Sequence, residues 1–168
     1  MVGRATRLSR FVMELPKRYE VTARFGAVST TGDPEGEITE TGVVPAGELS
    51  LPAGRIRQRP PAYSAVKVNG QRAYKRARAG ESFELPEREV TLYKFTQTAW
   101  DGDIRQFVVE CSSGTYVRSL IADLGDAYCM ALRRTHIGLF EVADADPERL
   151  IPLEQALPLI AGSAGANR

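Results

Sequence analysis

Two alternating runs joined by a short turn constrain this chain more than any other feature. Residues 89–100 and 104–111 carry apolar side chains at about every second position, and Asp101-Gly102-Asp103 separates the two runs. Alternation of period two is typical of strands with one buried face, and Asp-Gly is a turn signal. The pattern therefore predicts a β-hairpin with a three-residue loop, and the similar alternation over 18–28 predicts a third strand.

The remaining pattern predicts one domain over residues 1–160. A chain of 168 residues is long enough for a single core. After Ser113, apolar residues recur at helical spacing and form one stripe from Val117 to Leu124. Short helices among alternating strands indicate an α+β fold with a largely antiparallel sheet and flanking helices. The other predicted elements are helices at 7–14, 71–79 and 152–160, strands at 37–43, 62–68 and 132–142, and a disordered tail at 161–168.

Charge is segregated along the chain although the formal net charge is only +1. Between Arg55 and Gly80 there are eight basic residues and no acidic one, whereas residues 33–48 contain five acidic residues and no basic one. A positive field on part of the surface suits a polyanion such as a nucleic acid. The alternative is a solvated face whose charges pair with acidic groups elsewhere in the fold.

Several classes of protein and site are not supported by the sequence. No stretch approaches the roughly 18 apolar residues of a membrane span, and no secretory signal follows Met1. We therefore expect a cytoplasmic chain with no membrane partner and with Cys111 and Cys129 as reduced, buried thiols. His136 is the single histidine, and no Gly-rich phosphate loop is present. We expect neither a metal nor a cofactor.

Two residues break local rules. Arg118 lies near the start of a predicted helix, where a cation is disfavoured by roughly 0.3–1 kcal/mol. Its functional interpretation is a partly buried partner for a carboxylate or phosphate, and the alternative is a solvated arginine. Tyr19 follows Lys17 and Arg18, so it could stack on a base while the cations hold phosphate, or it could be a core tyrosine of the sheet.

Four blocks in order resemble the TruB-type tRNA pseudouridine synthases, and together they cover most of residues 3–142. Each block alone is weakly specific, and their common order makes the resemblance strong. The blocks are Lys17-Arg18-Tyr19 with Phe25-Gly26 and Thr31-Gly32-Asp33-x-x-Gly36; Pro60-Pro61-x-Tyr63-Ser64-Ala65-x-Lys67-x-x-Gly70-x-x-x-Tyr74-x-x-Ala77-Arg78-x-Gly80; Cys111-Ser112-Ser113-Gly114-Thr115-Tyr116-Val117-Arg118-Ser119-Leu120-x-x-Asp123-Leu124-Gly125; and Leu132-Arg133-Arg134.

This resemblance implies a pseudouridine synthase-like fold and isomerisation of a uridine in the T-arm loop of tRNA, without metal or cofactor. By position, Tyr19 would stack on the flipped base, Arg118 would pair with the catalytic aspartate, and Leu132 would form an apolar wall of the pocket. Asp33 would contact the RNA. The further candidate RNA-binding residues are Tyr63, Lys67, Arg72, Tyr74 and Arg78.

One departure from the family pattern concerns the nucleophile. The family places it in a Gly-x-Leu-Asp-Pro segment upstream of a Gly-x-Ala-Thr block, and here Gly3-x-Ala5-Thr6 matches that block directly after Met1 and Val2. Asp33-Pro34 belongs to a different block. We therefore expect a domain truncated at its start, with no catalytic aspartate and with Arg118 left without an anionic partner.

Such a chain should be inactive alone or should need a complementary N-terminal fragment. The alternatives are a tRNA-binding module or half of a split enzyme without catalysis of its own, and a non-functional remnant with an exposed core. Salt-sensitive tRNA affinity without product would favour the binding module.

Overall fold

The computed structural model describes residues 1, 3–68, 70–146 and 148–165. The strands are β1 (Lys17–Phe25), β2 (Ala27–Ser29), β3 (Ile38–Glu40), β4 (Gly54–Gln58), β5 (Lys67–Val68), β6 (Gln71–Arg72), β7 (Arg88–Asp101), β8 (Ile104–Cys111), β9 (Ala127–Ile137) and β10 (Phe140–Glu141). The helices are α1 (Ser9–Glu14), α2 (Ala73–Arg78), α3 (Val117–Ala122) and α4 (Leu153–Gly165), with 3₁₀ helices at Gly3–Leu8 and Val142–Asp144.

The main sheet has six strands in the order β10-β9-β1-β8-β7-β4, and every neighbouring pair is antiparallel. The predicted hairpin of β7 and β8 is confirmed, but its loop has two residues rather than three. Asp101 pairs with Ile104 and so belongs to the strand. Gly102 has a φ of +58°, the left-handed conformation that a tight turn requires.

The core lies between one face of this sheet and α3. Val21, Ala23 and Phe25 alternate inward along β1, as predicted, and all are buried. Leu120 and Ile121 of α3 pack on them from the stripe that the sequence indicated. Burying an aliphatic side chain of this size stabilises a fold by about 1.5–3 kcal/mol, so α3 is fixed by packing although it has only six residues.

Several predicted boundaries differ from the observed ones. α3 begins at Val117 rather than near Ser113, because residues 112–115 form a turn closed by a bond from Thr115 N to Ser112 O. β9 begins at Ala127, five residues before its predicted start, and pairs with β1 over most of its length. Residues 62–68 are mostly bends, and only Lys67–Val68 are extended.

The first end of the chain agrees with the prediction, and the last end required correction. The predicted helix at 7–14 is confirmed over Ser9–Glu14. The tail predicted from residue 161 is helical as far as Gly165, because α4 continues beyond its predicted end at residue 160. Residues 166–168 and Asn69, which was placed in a predicted turn, lie outside the described residues.

Both cysteines are free and buried, which confirms the prediction of two reduced, buried thiols. Among the described residues, no helix combines the length and the hydropathy needed to cross a bilayer.

Candidate active site

Arg118 is held at the start of α3 by two loops that are distant in sequence. Its Nη1 donates to the carbonyl of Thr31 at 3.0 Å, and its Nη2 donates to the carbonyl of Tyr63 at 3.1 Å. Nη1 also pairs with Oδ2 of Asp33. Its side chain is 24% exposed, so the guanidinium lies in a partly open site rather than in the core. Arg118 therefore joins the loop before β3, the segment before β5, and α3.

The expectation that Arg118 lacks an anionic partner is wrong. Asp33 supplies the carboxylate from within the chain, 85 residues away in sequence. The sequence analysis assigned the loop around Asp33 to a different family block. The residues of this loop carry no signal that the chain folds the loop onto α3. Gly32 makes the approach possible, because a Cβ there would lie 3.3 Å from Cβ of Arg118 and the glycine has a φ of +75°.

Asp33 is fully engaged by its neighbours. Thr31 Oγ1 donates to its Oδ1 at 2.6 Å, and the backbone N–H of Glu35 donates to the same oxygen at 3.2 Å. Burial acts to raise the pKa of Asp33, but the Thr31 hydrogen bond and the charge of Arg118 outweigh it and lower the pKa below its ordinary value. Asp33 is thus an ionised carboxylate with both oxygens occupied, which suits a group that positions Arg118 better than a free nucleophile.

Tyr19 lies at the edge of the core and also borders a cavity. It is half-buried in β1, packs against the core, and also lines a cavity of about 320 Å³. The register places it opposite Val109 on one side and Arg134 on the other. Burial raises the pKa of its hydroxyl, and interaction with Arg134 partly offsets that rise.

Leu132 lies on β9 opposite Val21 and is 43% exposed. It lines a second cavity, of about 430 Å³, which also includes Glu20 and Gln106. Tyr19 and Leu132 therefore border different cavities, and Arg118 is not among the residues that line either. The three predicted catalytic positions stand on one sheet and its covering helix without forming a single closed pocket.

The candidate RNA-binding residues other than Asp33 fall on one segment, residues 63–78, which reaches Arg118 through the carbonyl of Tyr63. The backbone N–H of Tyr74 donates to the carbonyl of Ser64 at 3.1 Å, so this segment and α2 form one unit. Lys67 and Arg72 face each other across β5 and β6. Within the described part of the chain, Lys67, Arg72 and Arg78 form no ion pair. The guanidinium of Arg78 lies 5.8 Å from the ring centre of Tyr74.

Sequence reasoning missed Gln58, which fixes the start of α3. It is 2% exposed, its Nε2 donates to the carbonyl of Tyr116 at 2.9 Å, and its Oε1 accepts from the N–H of Tyr116 at 2.8 Å. α3 has no side-chain N-cap, so this two-way bond from β4 replaces one. A glutamine between two arginines in a basic strand carries no sequence signal of burial.

Among the described residues, no three His, Cys, Asp or Glu side chains are arranged to hold a metal ion.

Known proteins resemble this chain in sequence and in fold. It is 47% identical over 165 residues to the tRNA pseudouridine synthase B of Thermobifida fusca, covering 86% of this chain and 56% of that protein. It is 41% identical over 152 residues to the tRNA pseudouridine synthase B of Pseudomonas fluorescens, covering 84% of this chain and 50% of that protein. The chain thus spans about half the length of these curated relatives.

Solved structures share the fold. A chain of a Cbf5-Nop10-Gar1 complex superposes with a TM-score of 0.55 at 25% identity, covering 84% of this chain and 36% of that chain. A chain of an H/ACA ribonucleoprotein bound to a substrate RNA containing 2′-deoxyuridine gives a TM-score of 0.51 at 21% identity, covering 84% and 34% of the two chains. The α+β, pseudouridine synthase-like fold class is confirmed. The profile of the TruB family pseudouridylate synthases (N-terminal domain) matches residues 1–117, and the chain therefore belongs to the TruB family.

Proposed function

We propose that this chain forms the base-binding part of an enzyme that isomerises a uridine in the T-arm loop of tRNA to pseudouridine. The curated relatives are named tRNA pseudouridine synthases, which supports tRNA as the substrate. A tRNA substrate also supports a cytoplasmic location for this protein. Since no segment of the 168 residues matches the family's Gly-x-Leu-Asp-Pro block, we further propose that the attacking aspartate comes from a complementary segment.

The reaction conserves atoms and electrons, so it needs no co-substrate. The glycosidic bond from C1′ to N1 breaks, a bond from C1′ to C5 forms, C5 loses a proton and N1 gains one. The target base must first leave the loop, which costs a few kcal/mol. Stacking on an aromatic ring returns about 1–3 kcal/mol per base. We assign that contact to Tyr19, and the cavity that it lines supports the assignment.

The observation that carries the proposal is the donor count of Arg118. A guanidinium has five N–H donors. The bonds to Thr31, Asp33 and Tyr63 use both hydrogens of Nη1 and one of Nη2. The second Nη2 hydrogen and the Nε hydrogen remain available for a second carboxylate. Asp33 thus orients the guanidinium of Arg118, while two N–H donors are left for the attacking aspartate. Leu132, on β9 of the main sheet, supplies apolar surface for the pocket.

The experiment measures release of tritium from [5-³H]uridine in a T-arm stem–loop RNA. The chain alone is compared with the chain fused at its start to a segment that carries the family's Gly-x-Leu-Asp-Pro pattern. We expect RNA binding in both cases and tritium release only by the fusion. Release by the 168 residues alone would show that an internal carboxylate attacks, and it would overturn the need for a second segment. No release from either protein would contradict the proposed reaction.

A binding module without catalysis is the second candidate, and the unpaired cations beside α2 favour it. Lys67 is exposed and forms no ion pair among the described residues. Lys67→Ala should weaken tRNA binding regardless of sequence and reduce the salt slope of the binding constant by about one unit. Lys94→Ala, at an exposed position on β7, is the control. An unchanged slope for Lys67→Ala would place this lysine away from phosphate.

A further inference from the structure

A cavity beside Tyr19 has a composition that the proposed roles of Tyr19, Arg118 and Leu132 do not explain. It measures about 320 Å³ and lies between the end of α1, the start of β1, β9 and the turn at residues 112–115. Its lining includes Lys17 and Arg134 and contains no Asp or Glu. The cavity next to Leu132, in contrast, includes Glu20 together with Arg133. Two cations without a carboxylate make the first cavity a positive site. We call it the Lys17–Arg134 cavity.

Lys17 is fastened at the rim of this cavity and keeps one donor. Its Nζ donates to the carbonyl of Met13 and to the carbonyl of Leu15, the latter at 2.6 Å. An ammonium group has three N–H donors, so one remains. The pKa of Lys17 is lowered, first by burial and then by the positive charge of Arg134, so the two cations lie close enough to repel each other. An anion between them would relieve that repulsion.

Arg134 faces the same cavity from β9, opposite Tyr19. In the part of the chain that the structure describes, neither Arg134 nor Lys17 forms an ion pair. The backbone N–H groups of Ser113 and Gly114 have no acceptor there either. Successive free N–H groups in a turn are a recurrent binding element for anions, and both belong to residues that line the cavity.

Ser112 adds a further donor. Its Oγ accepts the backbone N–H of Thr91 at 2.9 Å, which leaves the hydroxyl hydrogen free to donate. The turn itself is held in place, because Ser113 Oγ donates to the carbonyl of Met13 at 2.7 Å and Gly114 adopts a φ of +83°. The turn donors and Lys17 are therefore attached to a fixed frame, whereas the side chain of Arg134 is exposed at the edge of the cavity.

We propose that the Lys17–Arg134 cavity binds a backbone phosphate of the RNA adjacent to the nucleotide that stacks on Tyr19. The inference rests on the proposed function, because it takes RNA as the ligand. Arginine, lysine and free turn N–H groups are the donors that phosphate oxygens accept from, and phosphate contacts set the register of a nucleic acid on a protein. A base on Tyr19 brings its own phosphates within one nucleotide of this cavity. Arg134 and Lys17 are thus positioning residues for the flipped nucleotide.

The test compares two adjacent arginines of one strand. Arg134 lines the Lys17–Arg134 cavity, whereas its neighbour Arg133 lines the cavity of Leu132. Binding of a T-arm stem–loop RNA is measured across salt concentrations for this chain and for its variants Arg134→Gln, Arg133→Gln and Lys17→Gln, each with and without the fused segment. Circular dichroism first shows that each protein is folded. Arg134→Gln should reduce the salt slope by about one unit, and Arg133→Gln should leave it unchanged.

A second arm identifies the phosphate. Single neutral methylphosphonate linkages are placed at successive positions of the loop. One position should reduce the salt slope of the wild type and have no further effect on Arg134→Gln, because both changes remove the same contact. Equal slopes for Arg134→Gln and Arg133→Gln would overturn the inference, and with RNA binding and turnover intact the proposed function would stand. Absence of salt-dependent RNA binding by the wild type would overturn both. An effect of Arg134→Gln that appears only with the fused segment, and at no methylphosphonate position, would assign the cavity to a protein carboxylate instead.

Discussion

Arg105, in the main sheet, and Arg118, in the helix that covers it, differ in burial and in the partners of their guanidinium groups. Arg105 in β8 is fully buried, and its guanidinium donates to the carbonyl of Pro45 at 2.5 Å and to that of Gly47 at 2.9 Å. It also lies 4.2 Å from the ring centre of Trp100. Arg118 is partly exposed, pairs with a carboxylate, and retains two N–H donors.

This difference in exposure and partners distinguishes Arg105, which holds the fold together, from Arg118, which we propose pairs with the attacking aspartate. Neutral carbonyls and aromatic rings around Arg105 fasten the loop before β4 to the sheet, and no ligand can reach a fully buried guanidinium. The guanidinium of Arg118 is oriented by Asp33 and remains open on another side. Each guanidinium makes three hydrogen bonds and so leaves two of its five N–H donors unused. Access to those donors, rather than their number, therefore distinguishes Arg118 from Arg105.

The largest expected effect is on Arg118. In the fused enzyme, Arg118→Ala should reduce tritium release by about 10²–10³-fold, the loss typical of removing one preorganised electrostatic contact. The free energy of unfolding should change by about 1 kcal/mol or less, because the pair with Asp33 is partly solvated. Arg118→Lys, which keeps the charge but loses the planar fork, should retain intermediate activity. Near-normal product formation by Arg118→Ala would remove its catalytic role and weaken the contrast with Arg105.

Arg105 should show the reverse pattern. Arg105→Met leaves the buried carbonyls of Pro45 and Gly47 without their donor, so it should reduce the free energy of unfolding by about 3 kcal/mol. Urea unfolding measures this loss. Activity per folded molecule of the fused enzyme should stay close to that of the wild type. A loss of turnover at full stability would instead place Arg105 in the functional machinery.

Asp33→Asn tests the electrostatic part of the pair. The pKa of Asp33 is lowered in the fold, so its contribution to stability is present above the ordinary carboxyl pKa of about 3.9 and is lost as the pH falls through the lowered value. The variant should therefore be less stable than the wild type by about 1 kcal/mol at pH 7. The difference should shrink as the pH falls below about 4. Urea unfolding at several pH values measures it, and a pH-independent difference would indicate packing rather than charge.

The smallest expected effect is on the reactivity of Cys129. Burial raises the pKa of this thiol to about 12, and its backbone N–H donates to the carbonyl of Gly32 at 3.0 Å, in the loop that Arg118 holds. Arg118→Ala should release that loop locally and speed alkylation of Cys129 by about a few-fold. Cys111 is the internal control and should keep its slow rate, since burial also raises its pKa. Equal acceleration at both thiols would indicate global loosening instead.

Much of the sheet could be predicted because its signals are local. The alternation along β1, β7 and β8 and the apolar stripe of α3 each lie within about a dozen residues, and burial follows from them. The start of β9 was missed because its first residues carry no clean alternation, and pairing with β1 extends the strand. The site was harder, since Gln58 and Asp33 act through contacts 58 and 85 residues away along the chain.

The amino-acid sequence alone determined the strand periodicity, the charge segregation and the family motifs, because each depends on residue type and short spacing. The tertiary structure alone decided that Asp33 is the anionic partner of Arg118, that Arg105 is a buried clamp, and that Lys17 and Arg134 share a cavity with Tyr19. The physical reason is that charge–charge and hydrogen-bond partners are chosen by distance in space, and β-strand register sets that distance between residues far apart in the chain.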